Sequence, residues 1–148
     1  LRSNTTASNN TAVGTSALSA NTTGDRNVAV GTQALDANTT ADGNTAVGYD
    51  SLSANTTAEI NTGLGFQALR LNTTGASNTS VGANALGSNT TASNNTAVGS
   101  SALYANTTGH GNAAFGMDSL LSTQTLLLVV TLLLVLMLYP QTPQALIT

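Results

Sequence analysis

A unit of seventeen residues repeats seven times without insertion or deletion, and this period constrains the fold more than any other feature of the chain. The units start at Asn4, Asn21, Asn38, Asn55, Asn72, Asn89 and Asn106, and the last one ends at Ser122. We number the positions of a unit as columns 1 to 17. Columns 1, 2, 3, 7, 11 and 15 hold Asn, Thr, Thr, Asn, Gly and Leu in every unit. Equal residues at a fixed period indicate a repeat architecture in which every unit meets the same environment.

The composition of the unit predicts a strand-and-turn fold. Helical repeats need roughly 33 residues or more, and Asn, Thr and Gly are poor helix formers. The segment NTAVG alternates like a strand, and the Gly of column 11 follows where the chain turns. A short ALxA strand is predicted next, and NTT[AG]xx supplies the return turn. The sequence therefore predicts an all-β fold, namely a parallel β-solenoid (β-roll) of seven 17-residue coils over residues 1–122, followed by a hydrophobic tail over residues 123–148.

Two columns of larger apolar side chains are predicted to form the buried walls. Column 10 carries Val13, Val30, Val47, Leu64, Val81, Val98 and Phe115, and column 15 carries Leu18, Leu35, Leu52, Leu69, Leu86, Leu103 and Leu120. Column 9 is small throughout and lies on the opposite face of the strand from column 10. Two interpretations of column 9 stay open: close packing inside one coil, or a strip on which another subunit packs. Because so thin a coil buries little apolar surface, we expect self-association as a homo-oligomer or helical fibre.

The two Asn columns have different predicted roles. In a parallel stack, equal columns lie about 4.8 Å apart, so amide side chains can form a hydrogen-bonded ladder. We expect such a ladder in column 7, at Asn10, Asn27, Asn44, Asn61, Asn78, Asn95 and Asn112. Column 1 matches the N-x-[ST] acceptor pattern of N-glycosylation in every unit. Its members are the glycosylation candidates Asn4, Asn21, Asn38, Asn55, Asn72, Asn89 and Asn106. For column 1 a ladder and a line of glycans both remain open.

The residues offer little for catalysis or for cofactor binding. There is no Cys, a single His at His110 and no carboxylate that recurs beside it, so we predict no enzyme activity and no cofactor. Asp25, Asp42 and Glu59 share column 5 in successive coils and could together hold Ca²⁺. The favoured interpretation is a solvated acidic edge with Arg26 beside Asp25. Ice binding by Thr columns is disfavoured, because adjacent columns 2 and 3 would point to opposite faces of a strand.

Charge argues against nucleic acid as a partner. Lys and Arg together number three, and charged residues make up 6% of the chain. Such a chain has no basic surface with which to neutralise phosphates.

After Ser122 the composition becomes strongly apolar. The predicted assembly segment comprises Leu126, Leu127, Leu128, Val129, Val130, Leu132, Leu133, Leu134, Val135, Leu136, Met137 and Leu138. Residues 126–139 would form about 21 Å of helix, shorter than the ~30 Å hydrocarbon core of a bilayer. We therefore favour a joint between subunits, with membrane contact or anchoring through the tail as the alternative.

Three segments carry a resemblance to a known family: NTAVGTSAL (10–18), NTAVGYDSL (44–52) and NTAVGSSAL (95–103). They resemble the head repeats of trimeric autotransporter adhesins, whose units read like NSVAIGxxAxAxG, and related phage or bacterial surface-fibre repeats. The resemblance implies a left-handed parallel β-roll, three chains about one axis, and a surface that binds host matrix or other cells. The unit here is longer, in its NTT[AG] turn, and no heptad stalk follows it. The fold therefore carries over better than the anchoring or the adhesive partner.

These observations predict an extracellular or cell-surface structural protein, whose repeat rod assembles into a surface fibre or filament. The alternative is an adhesin head module that binds host matrix or a cell-surface ligand. Interfaces favour aromatic anchors, and the repeats offer only Tyr49, Phe66 and Tyr104 at their turns. The scarcity of such anchors favours the scaffold.

Overall fold

Seven short strands, one in each repeat unit, form a single parallel sheet in the computed structural model, which describes residues 1–120. The strands are β1 (Thr11–Val13), β2 (Val28–Val30), β3 (Thr45–Val47), β4 (Thr62–Leu64), β5 (Thr79–Val81), β6 (Thr96–Val98) and β7 (Ala113–Phe115). Each strand pairs with the next one in sequence, and paired residues lie seventeen positions apart, as Ala12 and Ala29 do. The predicted all-β parallel β-solenoid is confirmed. The last two residues of the predicted repeat domain and the whole tail, including the assembly segment at 126–138, lie outside the described residues.

The strands face the opposite way to the prediction. The middle residue of each inner strand, in column 9, is the one that points inward, and Ala29, Ala46 and Ala97 are fully buried. Column 10 points outward with column 8, and Val13 is 58% exposed. The expectation of a buried column-10 wall is therefore wrong, and column 9 is not an open strip for another subunit. Since side chains alternate along a strand, only one of the two columns can face inward, and the thin interior admits the smaller one.

The predicted ALxA strand is a series of turns instead. The amide of Ala17 donates to the Gly14 carbonyl, and the amide of Asn21 donates to the Leu18 carbonyl, both at 3.4 Å. Every Leu of column 15 adopts a positive φ of 50–53°. Coils still pair through this side, because the amide of Leu18 donates to Ala34 of the next coil at 3.0 Å. The hydrogen-bonded stack continues here without a regular strand.

Burial explains why Leu occupies a backbone conformation that disfavours it. A left-handed conformation costs an ordinary residue roughly 1–2 kcal/mol. In return the column-15 side chains fill the centre of the coil, and those from Leu18 to Leu86 are 0% exposed. Burying a Leu contributes about 1.5–3 kcal/mol, which offsets the strain. The Leu half of the predicted core is confirmed, and it packs against Ala in columns 9 and 14.

Column 11 requires Gly for two independent reasons. Gly31 and Gly48 have φ values of +137° and +135°, which residues other than Gly rarely adopt. A Cβ on Gly31 would lie 2.4 Å from the Gly48 carbonyl oxygen of the next coil. Successive corners are therefore stacked backbone on backbone, as the sequence predicts.

Candidate functional site

The Asn side chains of column 1 form a ladder inside the solenoid. From Asn21 to Asn106 they are 0–1% exposed, and each Nδ2 donates to the carbonyl three residues later in its own coil. From the third coil onward, each Nδ2 also donates to Oδ1 of the preceding Asn, as in Asn38 to Asn21 at 2.9 Å and Asn72 to Asn55 at 3.0 Å. The ladder thus ties coil to coil within the core. It ends at Asn106, whose buried Oδ1 has no hydrogen-bond partner among residues 1–120.

A second ladder runs through column 7, as predicted. Oδ1 of Asn27 accepts the backbone amide of Asn44 at 2.9 Å, and Nδ2 of Asn27 donates to the Ala41 carbonyl at 2.8 Å. The same carbonyl accepts Nδ2 of Asn38 at 3.1 Å. A column-4 carbonyl such as that of Ala41 therefore accepts one hydrogen bond from an Asn side chain of each ladder. This shared acceptor explains why both Asn columns are identical in all units, since a buried polar group left unpaired is costly.

Burial decides between the two interpretations of column 1. At Asn21, Asn38, Asn55, Asn72, Asn89 and Asn106, the nitrogen that would carry a glycan is enclosed and hydrogen-bonded. A sugar on Nδ2 would remove a donor proton and displace the neighbouring coil. The glycosylation prediction is incompatible with the folded coil at these six positions. Within column 1, Asn4 alone has an exposed side chain and so keeps an accessible acceptor nitrogen.

The two Thr columns diverge in role. Hydroxyls of column 2 donate to the Thr carbonyl of the next coil, as Thr22 does to Thr39 at 3.0 Å. Side chains of column 3, including Thr23 and Thr40, are exposed. Columns 2 and 3 therefore form no flat two-column Thr array, in agreement with the argument against ice binding.

Column 5 supplies acceptors for backbone amides. Oδ1 of Asp42 accepts the amide of Asp25 at 2.8 Å, and Nδ1 of His110 accepts the amide of Ser93 at 2.9 Å. The guanidinium of Arg26 contacts Asp42 of the next coil at 2.9 Å rather than the adjacent Asp25. Within residues 1–120 no three His, Cys, Asp or Glu side chains are grouped so as to hold a metal ion. These side chains hold the turn together.

A groove that sequence reasoning missed lies on the turn side of coils 2 to 4. It is shallow and open to solvent, has a volume of about 310 Å³, and is lined by Gln33, Asp36, Asp50, Ser53, Ala54, Arg70 and Leu71. Partial burial raises the pKa of Asp36, the negative charge of Asp50 raises it further, and backbone amides at 36 and 37 partly offset both effects. Nε2 of Gln67 lies 3.5 Å from Oδ2 of Asp50. The groove thus concentrates charged and amide groups.

An aromatic pair adjoins this groove along the backbone. The rings of Tyr49 and Phe66 stack at a centroid distance of 5.5 Å with an interplanar angle of 14°. They are 45% and 51% exposed, and each immediately precedes a polar residue of the turn, Asp50 or Gln67. The signal available in the sequence was the departure of these positions from the repeat unit.

A larger cavity, of about 570 Å³, lies at the open end of the first coil. Its lining includes Leu1, Arg2, Gly14 and Ala17. In inner coils, the atoms equivalent to Gly14 and Ala17 are covered by a preceding coil. This cavity is therefore the uncovered face of the first described coil and not a built site.

Comparison with protein-family models, with curated proteins and with solved structures gave no match. Among residues 1–120 no helix has the length and apolar character needed to cross a membrane.

Proposed function

We propose that this protein is an extracellular structural protein whose repeat rod assembles into a surface fibre or filament. The observation that carries the proposal is the assignment of the identical columns to internal structure. Asn, Gly and Leu of columns 1, 7, 11 and 15 serve the ladders, the corners and the core, so their repetition needs no substrate or catalytic centre to explain it. A chain that devotes its most constant residues to coil stacking is suited to act as a scaffold.

The outward face of the sheet supports lateral self-association. Columns 8 and 10 place Thr and Val side by side along the rod, without a charged residue in any strand. An uncharged strip of this kind favours contact with another copy over contact with a charged partner. This outward strip replaces column 9 as the surface proposed for the homo-oligomer.

The alternative function, an adhesin head module, also has a specific observation in its favour. Tyr49 and Phe66 are exposed and stacked, and interface hot spots are enriched in aromatic residues. The resemblance to head repeats of trimeric autotransporter adhesins, with three left-handed rolls about one axis, points the same way. Under this alternative the partner would be host matrix or a cell-surface ligand.

Electron microscopy of the purified full chain, combined with light scattering across a concentration series, tests the scaffold. We expect filaments or elongated homo-oligomers whose mass grows with concentration. A matched variant lacking residues 123–148 should give short soluble rods if the tail joins subunits. Discrete, uniform trimers without filaments would favour the adhesin, and monodisperse monomers at every concentration would refute both assemblies.

A further inference from the structure

Columns 12, 13, 16 and 17 differ in residue size from coil to coil. Columns 12, 13, 16 and 17 of the first coil hold Thr15, Ser16, Ser19 and Ala20, which are small. In coils 2 to 4 the same columns hold the larger residues Gln33, Asp36, Tyr49, Asp50, Phe66, Gln67, Arg70 and Leu71. The coil folds with either set, so these side chains are not needed for the fold. Residues that a repeat does not require for folding are where a specific function can be placed.

Five residues of this set, Gln33, Asp36, Asp50, Arg70 and Leu71, line the groove, which has unused hydrogen-bonding capacity. Asp36, Asp50 and Arg70 all line it, yet the ion pair found within residues 1–120 is the one between Arg26 and Asp42. The guanidinium of Arg70 therefore forms no ion pair with the carboxylates that line the groove. The volume of the groove, about 310 Å³, is at the lower end of the range for small-ligand sites, roughly 300–1,000 Å³.

The chemistry of the groove selects a class of ligand. Carboxylate, guanidinium and amide groups are planar and can each pair with two neighbouring hydroxyls or polar atoms. Tyr49 and Phe66 directly precede Asp50 and Gln67 in the chain, and each ring of the stack stays about half exposed, which leaves apolar ring surface available to a ligand. The groove carries charges of both signs, so a neutral ligand with many hydroxyls can pair with the carboxylates and with the guanidinium and brings no charge of its own that one of them would repel. We propose that the groove and the adjoining Tyr49–Phe66 pair bind a neutral oligosaccharide, whose hydroxyls meet the charged groups while the C–H faces of its rings lie against the aromatic pair.

Calorimetric titration of the full chain with neutral hexasaccharides of glucose, mannose, galactose and N-acetylglucosamine tests the proposal. We expect at least one probe to bind with a dissociation constant below ~1 mM. The double variant Tyr49→Thr/Phe66→Ala installs the residues that coils 2 and 5 carry in column 12, so it should fold. It should bind at least ~10-fold more weakly.

Two further variants separate the groove from the rest of the surface. Arg70→Ser installs the residue of Ser53 in the same column and should also weaken binding at least ~10-fold. Tyr104→Ser removes an exposed aromatic ring from coil 6, outside the groove, and should leave the affinity unchanged. Circular dichroism of each variant verifies that the solenoid is intact.

Three results would overturn the proposal. The first is the absence of heat with every neutral hexasaccharide, and the second is heat only in control titrations with a sulfated saccharide or with oligolysine. The third is an affinity for the neutral probe that is unchanged in both groove variants. The inference does not depend on fibre formation, because the groove lies within one chain and is complete in a monomer.

Discussion

Replacing one Asn of the column-1 ladder should cost a large part of the stability of the solenoid. In Asn55→Ala, Oδ1 of Asn38 loses its donor at 3.2 Å, and one of the two N–H groups on Nδ2 of Asn72 loses its acceptor at 3.0 Å while the other keeps the Gly75 carbonyl. The Ala58 carbonyl loses one of its two donors and keeps the other, from Asn44 at 2.9 Å. Each buried group left unpaired costs about 1–3 kcal/mol, so the free energy of unfolding should fall by about 2–6 kcal/mol. Single domains are typically stable by only about 5–15 kcal/mol.

Urea unfolding followed by circular dichroism measures this loss in the full chain. Thr57→Ala is the matched control, because Thr57 lies two residues away in the same coil with an exposed side chain. It should change the free energy of unfolding by no more than about 0.5 kcal/mol. Asn55→Asp keeps the volume but removes the donor nitrogen, and it should destabilise the coil at neutral pH at least as much as the Ala variant. If Asn55→Ala matched the Thr57 control, the ladder would not stabilise the fold.

Three further perturbations follow from the same geometry. In Gly65→Ala, a Cβ at φ +141° would lie 2.6 Å from the Gly82 carbonyl oxygen, so we expect a loss of at least about 2 kcal/mol in urea unfolding; wild-type stability would contradict the stacked-corner argument. Gly63→Ala alone should destabilise the fold, because its Cβ would lie 2.6 Å from Oγ of Ser51, whereas combining it with Ser51→Ala recreates the Ala pair of other coils. A double-mutant cycle should therefore give a coupling energy of about 0.5–3 kcal/mol, and additive effects of the two changes would exclude the contact. The pKa of Asp36 is raised above 3.8 in the folded chain, so the folded state binds more protons than the unfolded state just above that pH, and the free energy of unfolding should fall as pH rises through this window. In urea unfolding measured across pH, Asp36→Ser should remove this decrease, and an unchanged decrease would contradict the raised pKa.

The period of the sequence predicted the architecture because the stacking of coils depends only on the constant spacing of equal residues along the chain. Once seventeen residues recur without a break, equal columns must stack, and the pairing of Ala12 with Ala29 follows whatever the coil looks like in cross-section. Gly31 was predictable for the same reason, because a corner repeated at one spacing brings backbone against backbone. These features required only the repeat and elementary sterics.

The cross-section of the coil was not predictable from hydrophobicity. Val is more apolar than Ala, so a two-sided strand suggested Val inside and Ala outside. The interior of the coil is filled from the other side by Leu, and the space that remains admits only Ala, Gly or Ser. Nor does Leu signal a turn, since the left-handed conformation of Leu35 is imposed by its burial and not by local preference. Tertiary packing overrode the local pattern in both columns.

Constancy across units has a different meaning here from constancy at an active site. The Asn-Thr-Thr motif matches a glycan acceptor in the sequence, but from the second coil onward its Asn is among the fully buried side chains of the coil. Any residue required by every coil must serve a contact that every coil makes, which in a stack is the contact with its neighbours. A binding function limited to one place must instead use columns that tolerate change. Only such columns could hold Tyr49, Asp50 and Arg70 in coils 3 and 4 while coil 1 keeps small residues there.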